Sequence, residues 1–191
     1  MAYPCNGWQE KAYITISEKG GSDYEMMAYS EDIKIKFGSK DYDLVHTLGD
    51  SIYKKHSPMD ATTVTISVYA IKGADTPAIT QLFFGDTSDS SQPIDVDLSK
   101  TRKEVRLAVL WTEASGISSA TDAVSAGDAA TRVVLKEGEI IDFDLEFATD
   151  TALKGTITIK FPPYDCDGNK TIKVESTDGS DASGLSALSS Y

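Results

Sequence analysis

The sequence predicts a mainly β protein, a β-sandwich or small β-barrel of about eight antiparallel strands flanked by one short helix. Three observations lead there. Apolar and polar residues alternate with period two along most of the chain, one segment is apolar on both faces, and a single stretch changes to helical spacing. With 191 residues the chain can bury roughly 70% of the surface its unfolded form exposes, which suffices for one core without disulfides or metals.

A first strand is read at residues 11–16, where Ala12, Ile14 and Ile16 alternate with Lys11, Tyr13 and Thr15. A second, at 31–37, sets Ile33, Ile35 and Phe37 against Asp32, Lys34 and Lys36. At 62–71, Val64, Ile66, Val68 and Ala70 alternate with threonine, serine and tyrosine. At 94–98, Ile94, Val96 and Leu98 enclose Asp95 and Asp97. Residues 105–111 are apolar on both faces apart from Arg106, the pattern of a central strand covered from both sides. Further strands are read at 139–147, where Ile141, Phe143, Leu145 and Phe147 oppose Asp142, Asp144 and Glu146, and at 156–161 and 171–175. Each alternating pattern sends one face to a core and the other outward.

One segment departs from this rhythm. Asp75 and Thr76 offer a cap, Pro77 stands near the first helical position, and Ala78, Ile79, Leu82 and Phe83 follow at helical spacing before Gly85. The spacing predicts a short helix over 76–84 that plugs an end or side of the β-structure. Residues 38–62 form a long connection with unusual apolar content, and long connections tend to be functional. Residues 113–130, rich in Ala, Ser, Gly, Thr and Asp, offer little to bury and are expected to be mobile. The chain therefore divides into one sandwich domain over 1–176 and a flexible Ser/Gly/Asp-rich tail over 177–191.

The motifs of catalysis are missing. There is no nucleophile elbow, HExxH, phosphate-cradling glycine–lysine loop or dinucleotide fingerprint. His46 and His56 share the long connection without a Cys or carboxylate cluster at ligand spacing, and read as exposed loop histidines. Cys5 and Cys166 make no disulfide framework, although one bridge between them stays open. The run Asp165-Cys166-Asp167-Gly168-Asn169 resembles a fragment of a calcium loop but lacks its distal ligands, and Asp-Gly is a strong turn signal. Asn169-Lys170-Thr171 matches a glycosylation acceptor, which carries little weight without a secretory signal. No such signal is read at residues 1–11, and no run of about 18 apolar residues marks a membrane span. An enzyme is not expected, nor a cofactor or a metal.

Charge is informative. The chain carries 30 acidic and 18 basic residues, a net −12, which argues against gripping a nucleic-acid backbone. Residues 137–150 hold six acids and no base. Asp142, Asp144 and Glu146 share one strand face, which is either an ordinary solvated face or a surface that repels polyanions, while Lys34 and Lys36 make a basic face on another strand. An acidic and a basic face on one small protein permit side-by-side or head-to-tail pairing of copies.

Strand 31–37, then Asp41-Tyr42-Asp43-Leu44-Val45-His46-Thr47-Leu48-Gly49, then Ser57-Pro58-Met59-Asp60 leading into strand 62–71, resembles the major tail tube proteins of tailed viruses, bacteriophages and archaeal viruses among them. The helix Thr76 to Gly85, the strand Arg106-Leu107-Ala108-Val109-Leu110-Trp111-Thr112, the stretch Arg132-Val133-Val134-Leu135 leading to Ile141-Asp142-Phe143-Asp144, and the close Phe161-Pro162-Pro163-Tyr164-Asp165-Cys166-Asp167-Gly168 are similar to that family's order of elements. The resemblance covers about residues 10–176 and includes no catalytic motif.

That resemblance implies a structural virion protein, made in the host cytoplasm, whose copies join sheets into six-fold rings and stack into a hollow tail tube for genome delivery. It implies partners in the tail terminator, tape measure and baseplate, and passage of DNA without binding. Asp142, Asp144 and Glu146 become candidates for the lumen, with Asp95 and Asp97 behind them. Asp41, Tyr42, Leu44, Val45, Leu48, Ile52 and Tyr53 become candidates for contact with the neighbouring ring. The rivals are a head decoration or tail terminator protein, and a ligand-binding β-sandwich, whose stacking platform neither Trp8 near the terminus nor Trp111 on the central strand is placed to supply.

Overall fold

The computed structural model describes residues 11–21, 23–25, 30–49, 51–69, 104–146, 154–180 and 183–191. The helix expected at 76–84, the strand at 94–98 with Asp95 and Asp97, and Cys5, Trp8 and Phe147 lie outside them. The architecture is mainly β, as the alternation predicts: among the described residues there are ten strands and no helix.

The strands are β1 (Lys11–Glu18), β2 (Asp23–Glu25), β3 (Ser30–Lys36), β4 (Tyr42–His46), β5 (Ile52–His56), β6 (Thr62–Tyr69), β7 (Val105–Thr112), β8 (Ala129–Glu146), β9 (Lys154–Phe161) and β10 (Ile172–Asp178). Eight form one antiparallel sheet in the order β2-β1-β7-β8-β9-β6-β3, with β10 also on β8, and β4 pairs with β5. Threonine, valine and isoleucine make up most of β6, and threonine and isoleucine half of β9, and these branched side chains fit a pleated, half-buried surface.

The 18-residue strand β8 makes one sheet into two layers. Its first half, Ala129 to Leu135, lies between β7 and β10, and its second half, Glu139 to Glu146, pairs with β9. The change of partner falls at Glu137, whose φ of 58° is left-handed, and at Gly138. A Cβ on Gly138 would sit 2.3 Å from the Phe161 ring, so only glycine admits the phenylalanine there. The opposing register of β7 slips between Val105 and Leu107, and the extra residues turn the strand as a bulge does.

Two layers result, a first of β2-β1-β7-β8-β10 and a second of β8-β9-β6-β3. Between them lies the main core, including Ile14, Ile16, Leu107, Val109 and Leu135 from one layer and Val64, Ile66, Ile157, Ile159 and Phe161 from the other. The first layer has a second buried face. Tyr13, Ala108, Leu110 and Ala130 pack there against Ala114, Ala120, Val124 and Leu185. The prediction for 105–111 therefore holds: Val105 to Leu110 are all buried.

Two expectations need correction. Residues 113–130 form an ordered cover. Small residues achieve this because Ala114, Ala120 and Val124 fit tightly under the strands, and because Asp122 Oδ2 accepts from the Ser118 and Ser119 N–H groups at 2.9 and 3.0 Å. β10 runs on to Asp178, and residues 183–191 lie on the first layer, with Leu185 bridging Val124 and nine-tenths buried. Finally, Ile140 rather than Ile141 enters the core. A register shift between Ile140 and Asp142 inverts the alternation there, leaving Ile141 exposed.

Candidate assembly surfaces

The connection 38–62 is a projecting ribbon. Beyond Lys36 and Thr63, the β3–β6 ladder continues through Gly38 N–H to Thr62 Oγ1, Asp60 N–H to Ser39 O and Ser57 N–H to Asp41 O, each 3.0 Å, into the β4–β5 hairpin. Gly38 lets the two backbones approach, because a Cβ there would meet the Asp60 carbonyl at 1.8 Å. Asp41 closes the neck, its Oδ1 accepting from the Tyr42 N–H at 2.8 Å.

Every residue of β4 and β5 is exposed. Pairing sets Tyr42 opposite His56, Leu44 opposite Lys54 and His46 opposite Ile52 on one face, with Val45 opposite Tyr53 on the other. The Lys54 ammonium lies 5.0 Å from the Tyr42 ring centroid, and the His56 ring meets that ring edge-on at 6.1 Å. Tyr42, Leu44, Val45, Ile52 and Tyr53 all stay on the surface, and Leu48 at the tip is wholly exposed. An isolated two-stranded hairpin is marginal in water, and this one keeps its apolar side chains uncovered.

A second surface is the outer face of the four-strand layer. Cross-strand register builds it in rows: Glu139, Lys160, Thr63 and Lys36; then Asp142, Thr158, Thr65 and Lys34; then Asp144, Thr156, Ser67 and Asp32. Glu146 and Lys154 begin a fourth row. Asp142, Asp144 and Glu146 are together and exposed, as the alternation predicts. The face as a whole is not acidic, however. Acids occupy the β8 margin, Lys34 and Lys36 stand on the β3 margin beside Asp32, and the middle is threonine and serine apart from Lys154 and Lys160. The sequence shows both charge groups but not that the fold places them on one face.

Behind the first layer, two buried arginines hold the chain's own end. Arg132 is fully buried; its Nε and Nη2 donate to Glu175 Oε2 at 2.9 and 2.6 Å, Nη2 also to Ser186 O at 2.6 Å and Nη1 to Asp122 O at 3.0 Å. Burial alone would raise the Glu175 carboxyl, but hydrogen bonds from Lys173 and Arg132 bring it below its ordinary value. Arg106 donates to Ser189 O at 2.7 Å and Ser17 Oγ at 3.1 Å, and lies 5.4 Å from the Tyr191 ring centroid. The Tyr191 hydroxyl accepts from the Glu137 N–H at 2.9 Å and donates to Glu137 Oε1 at 3.0 Å, tying the terminus to the bend in β8. Its own burial pushes that phenol up to about 12. Sequence reasoning missed these clamps. Their signals were single arginines in apolar strands and Leu185, Leu188 and Tyr191 in a serine-rich tail.

The remaining sites are bland. Asp165 Oδ1 accepts from the Asp167 and Asn169 N–H groups at 2.9 and 2.7 Å, and Gly168 has φ 80°, so this run is a turn that occupies its own carboxylate. Cys166 is exposed with a free thiol, at a cleft of about 480 Å³ also lined by Glu104, Glu137, Glu139, Lys160 and Tyr164. Among the described residues no three His, Cys, Asp or Glu side chains converge on a metal position.

Several solved structures share this architecture. A chain of the sheath/tube terminator of the PVC extracellular contractile injection system aligns with TM-score 0.51 and 11% identity, over 92% of this chain and 99% of its own. A chain of the PVC sheath–tube complex gives 0.51 and 8%, over 87% and 89%. A chain of the tube-terminating cap of the anti-feeding prophage gives 0.52 and 8%, over 93% and 94%. The fold is that of injection-machine chains. No family model matches the sequence, and no curated protein matches it.

Proposed function

We propose that this chain is the repeating structural subunit of a tail tube, and that it has no enzymatic role. The observation that carries the proposal is the contrast within the sheet. One layer is sealed on both faces by its own chain, whereas the other leaves a polar face in solvent, and its terminal strand β3 pairs among the described residues only with β6. Copies set side by side extend that layer from subunit to subunit, which satisfies the exposed backbone groups of an edge and excludes random strand addition. Six copies close a ring whose bore is the polar face, so Asp142, Asp144 and Glu146 line the lumen, with Asp95 and Asp97 as further candidates. A lining with no excess of positive charge gives phosphates nothing to hold, so a genome passes without binding.

The ribbon 38–62 reaches the next ring, with Asp41, Tyr42, Leu44, Val45, Leu48, Ile52 and Tyr53 at the contact. The partners are further copies and the terminator, tape measure and baseplate proteins of a virion tail, assembled after synthesis in the host cytoplasm. Likeness to terminator and cap chains favours a second reading, a single ring that closes a tube.

Negative-stain microscopy at rising protein concentration separates these readings. Open-bored tubes support the tube subunit, single closed rings support the terminator, and monomers at every concentration reject both. Deleting residues 42–54 is expected to leave a folded subunit that forms no tubes. Tubes of normal length from that variant would remove the stacking role of the ribbon.

A further inference from the structure

We infer that the acidic margin of one copy and the basic margin of the next form a charge-paired seam on the polar face, an inference that rests on the side-by-side tube reading. Asp142, Asp144 and Glu146 are exposed on β8, and Lys34 and Lys36 on β3, with two strands between them whose residues in those rows are Thr158, Thr156, Thr65 and Ser67, Lys160 and Lys154 standing at the two ends of β9. Three strand spacings set the two margins roughly 14 Å apart, more than the screening length of about 8 Å at physiological salt. Within one copy these groups cannot neutralise each other, and among the described residues none of the five joins an ion pair. Each margin instead carries like charges two residues apart, Asp142, Asp144 and Glu146 on β8 and Lys34 and Lys36 on β3 beyond Asp32, and these repel.

A neighbouring copy placed against β3 resolves both repulsions at once. Its acidic margin brings carboxylates to Lys34 and Lys36, and the pairing joins side chains on the face without requiring a particular backbone ladder. The arrangement is directional. Two basic margins repel, as do two acidic ones, so copies join only head to tail, the heterologous contact that closes a ring. Lys34 and Lys36 also guard the β3 edge against unselected strands, since lysine on an edge discourages pairing with anything but an acidic partner. Paired in this way, the bore presents threonine and serine hydroxyls between neutralised seams instead of a bare acidic wall.

The test reverses each margin in the full chain and then both. The variants are Lys34→Glu with Lys36→Glu, Asp142→Lys with Asp144→Lys, and the four changes together. Assembly is read by light scattering and negative stain at about 50 mM and about 500 mM NaCl, where screening differs by about threefold in length. All five side chains are exposed, so circular dichroism should show folded subunits. Each reversal alone is expected to raise the concentration needed for assembly at least tenfold at low salt, and the four-residue swap to restore it. The neutral pair Lys34→Gln with Lys36→Gln should weaken assembly less and lose its salt dependence. Tubes from both single reversals at the wild-type concentration would overturn the seam while leaving the tube intact. A swap that fails to restore assembly would also overturn it. No assembly by the unaltered chain would remove the tube reading and the seam with it.

Discussion

The two layers of this sheet share a strand but solve opposite problems. The first layer is finished: its inner face meets the main core, and its outer face is covered by residues 113–130 and 183–191. The second buries only one face and leaves the other to solvent, with segregated charge at its margins. What separates them is where the chain spends its irregular segments. Small-residue loops and a serine-rich end could have been loose. Instead, among the described residues, they pack on one side only, held by Arg106 and Arg132, and leave the opposite side to solvent.

The comparison breaks most sharply at Arg132. Replacing it with alanine strips the half-buried Glu175 of one of its two cationic partners, Lys173 remaining, and leaves the Asp122 and Ser186 carbonyls without their donor, a loss of about 3 kcal/mol, the low end for a pair broken on one side. Urea unfolding should show a lower midpoint with an unchanged slope if the cover detaches together with the whole domain. A steeply reduced slope would mean that the cover opens as a separate unit.

Next in size is Gly138→Ala, at the hinge between the layers. The new Cβ would overlap the Phe161 ring, and overpacking of this kind costs about 1–3 kcal/mol. Thermal unfolding measures the loss, and Phe161→Leu in the same chain should recover part of it. A Gly138→Ala protein as stable as the parent would show that the layers are not locked by this contact.

Acid provides a graded version of the first test. Glu175 has a folded-state pKa below its ordinary 4.5. Its contribution is therefore complete above about pH 4.5 and is lost as pH falls through the lower folded value. Glu137 moves in the same direction: burial would raise it, but the hydrogen bonds it makes, with Lys19 first among them, hold it lower. Acid should therefore loosen the cover and the terminal clamp as Glu175 and Glu137 take up protons. Glu175→Gln should flatten the stability profile between about pH 5 and pH 3, and an unchanged profile would place the acid sensitivity elsewhere.

How much of this was legible beforehand follows the same division. Period two revealed β1, β3, β6 and β9 because alternation is a local property of a strand with one buried face, and the run apolar on both faces revealed β7. It misplaced Ile141, since a bulge shifts the phase without any mark in composition. It read 113–130 and 177–191 as loose, because alanine and serine carry no hydrophobic signal until a fitted surface meets them. The acidic strand face and the apolar ribbon were both visible as lists of residues. Their placement was not. That the lysines of β3 and the acids of β8 share one face, three strands apart, is a consequence of topology, and topology is set by non-local pairing.

The smallest expected effect on the subunit is the most telling for assembly. Leu48 stands wholly exposed at the tip of the ribbon, and Leu44 is half exposed on one hairpin face. Replacing both with serine removes apolar surface that contacts nothing in the described fold, so stability should change by no more than about 0.5 kcal/mol. If the ribbon docks on another ring, the same two changes should prevent stacking while single rings persist, because burial of two leucines at an interface is worth several kcal/mol in total, about 1.5–3 for each. Thermal unfolding and microscopy on one preparation read both quantities. Unaltered stability with lost tubes would place the ribbon's purpose outside the subunit, whereas a large loss of stability would mean that the ribbon serves the fold of its own chain.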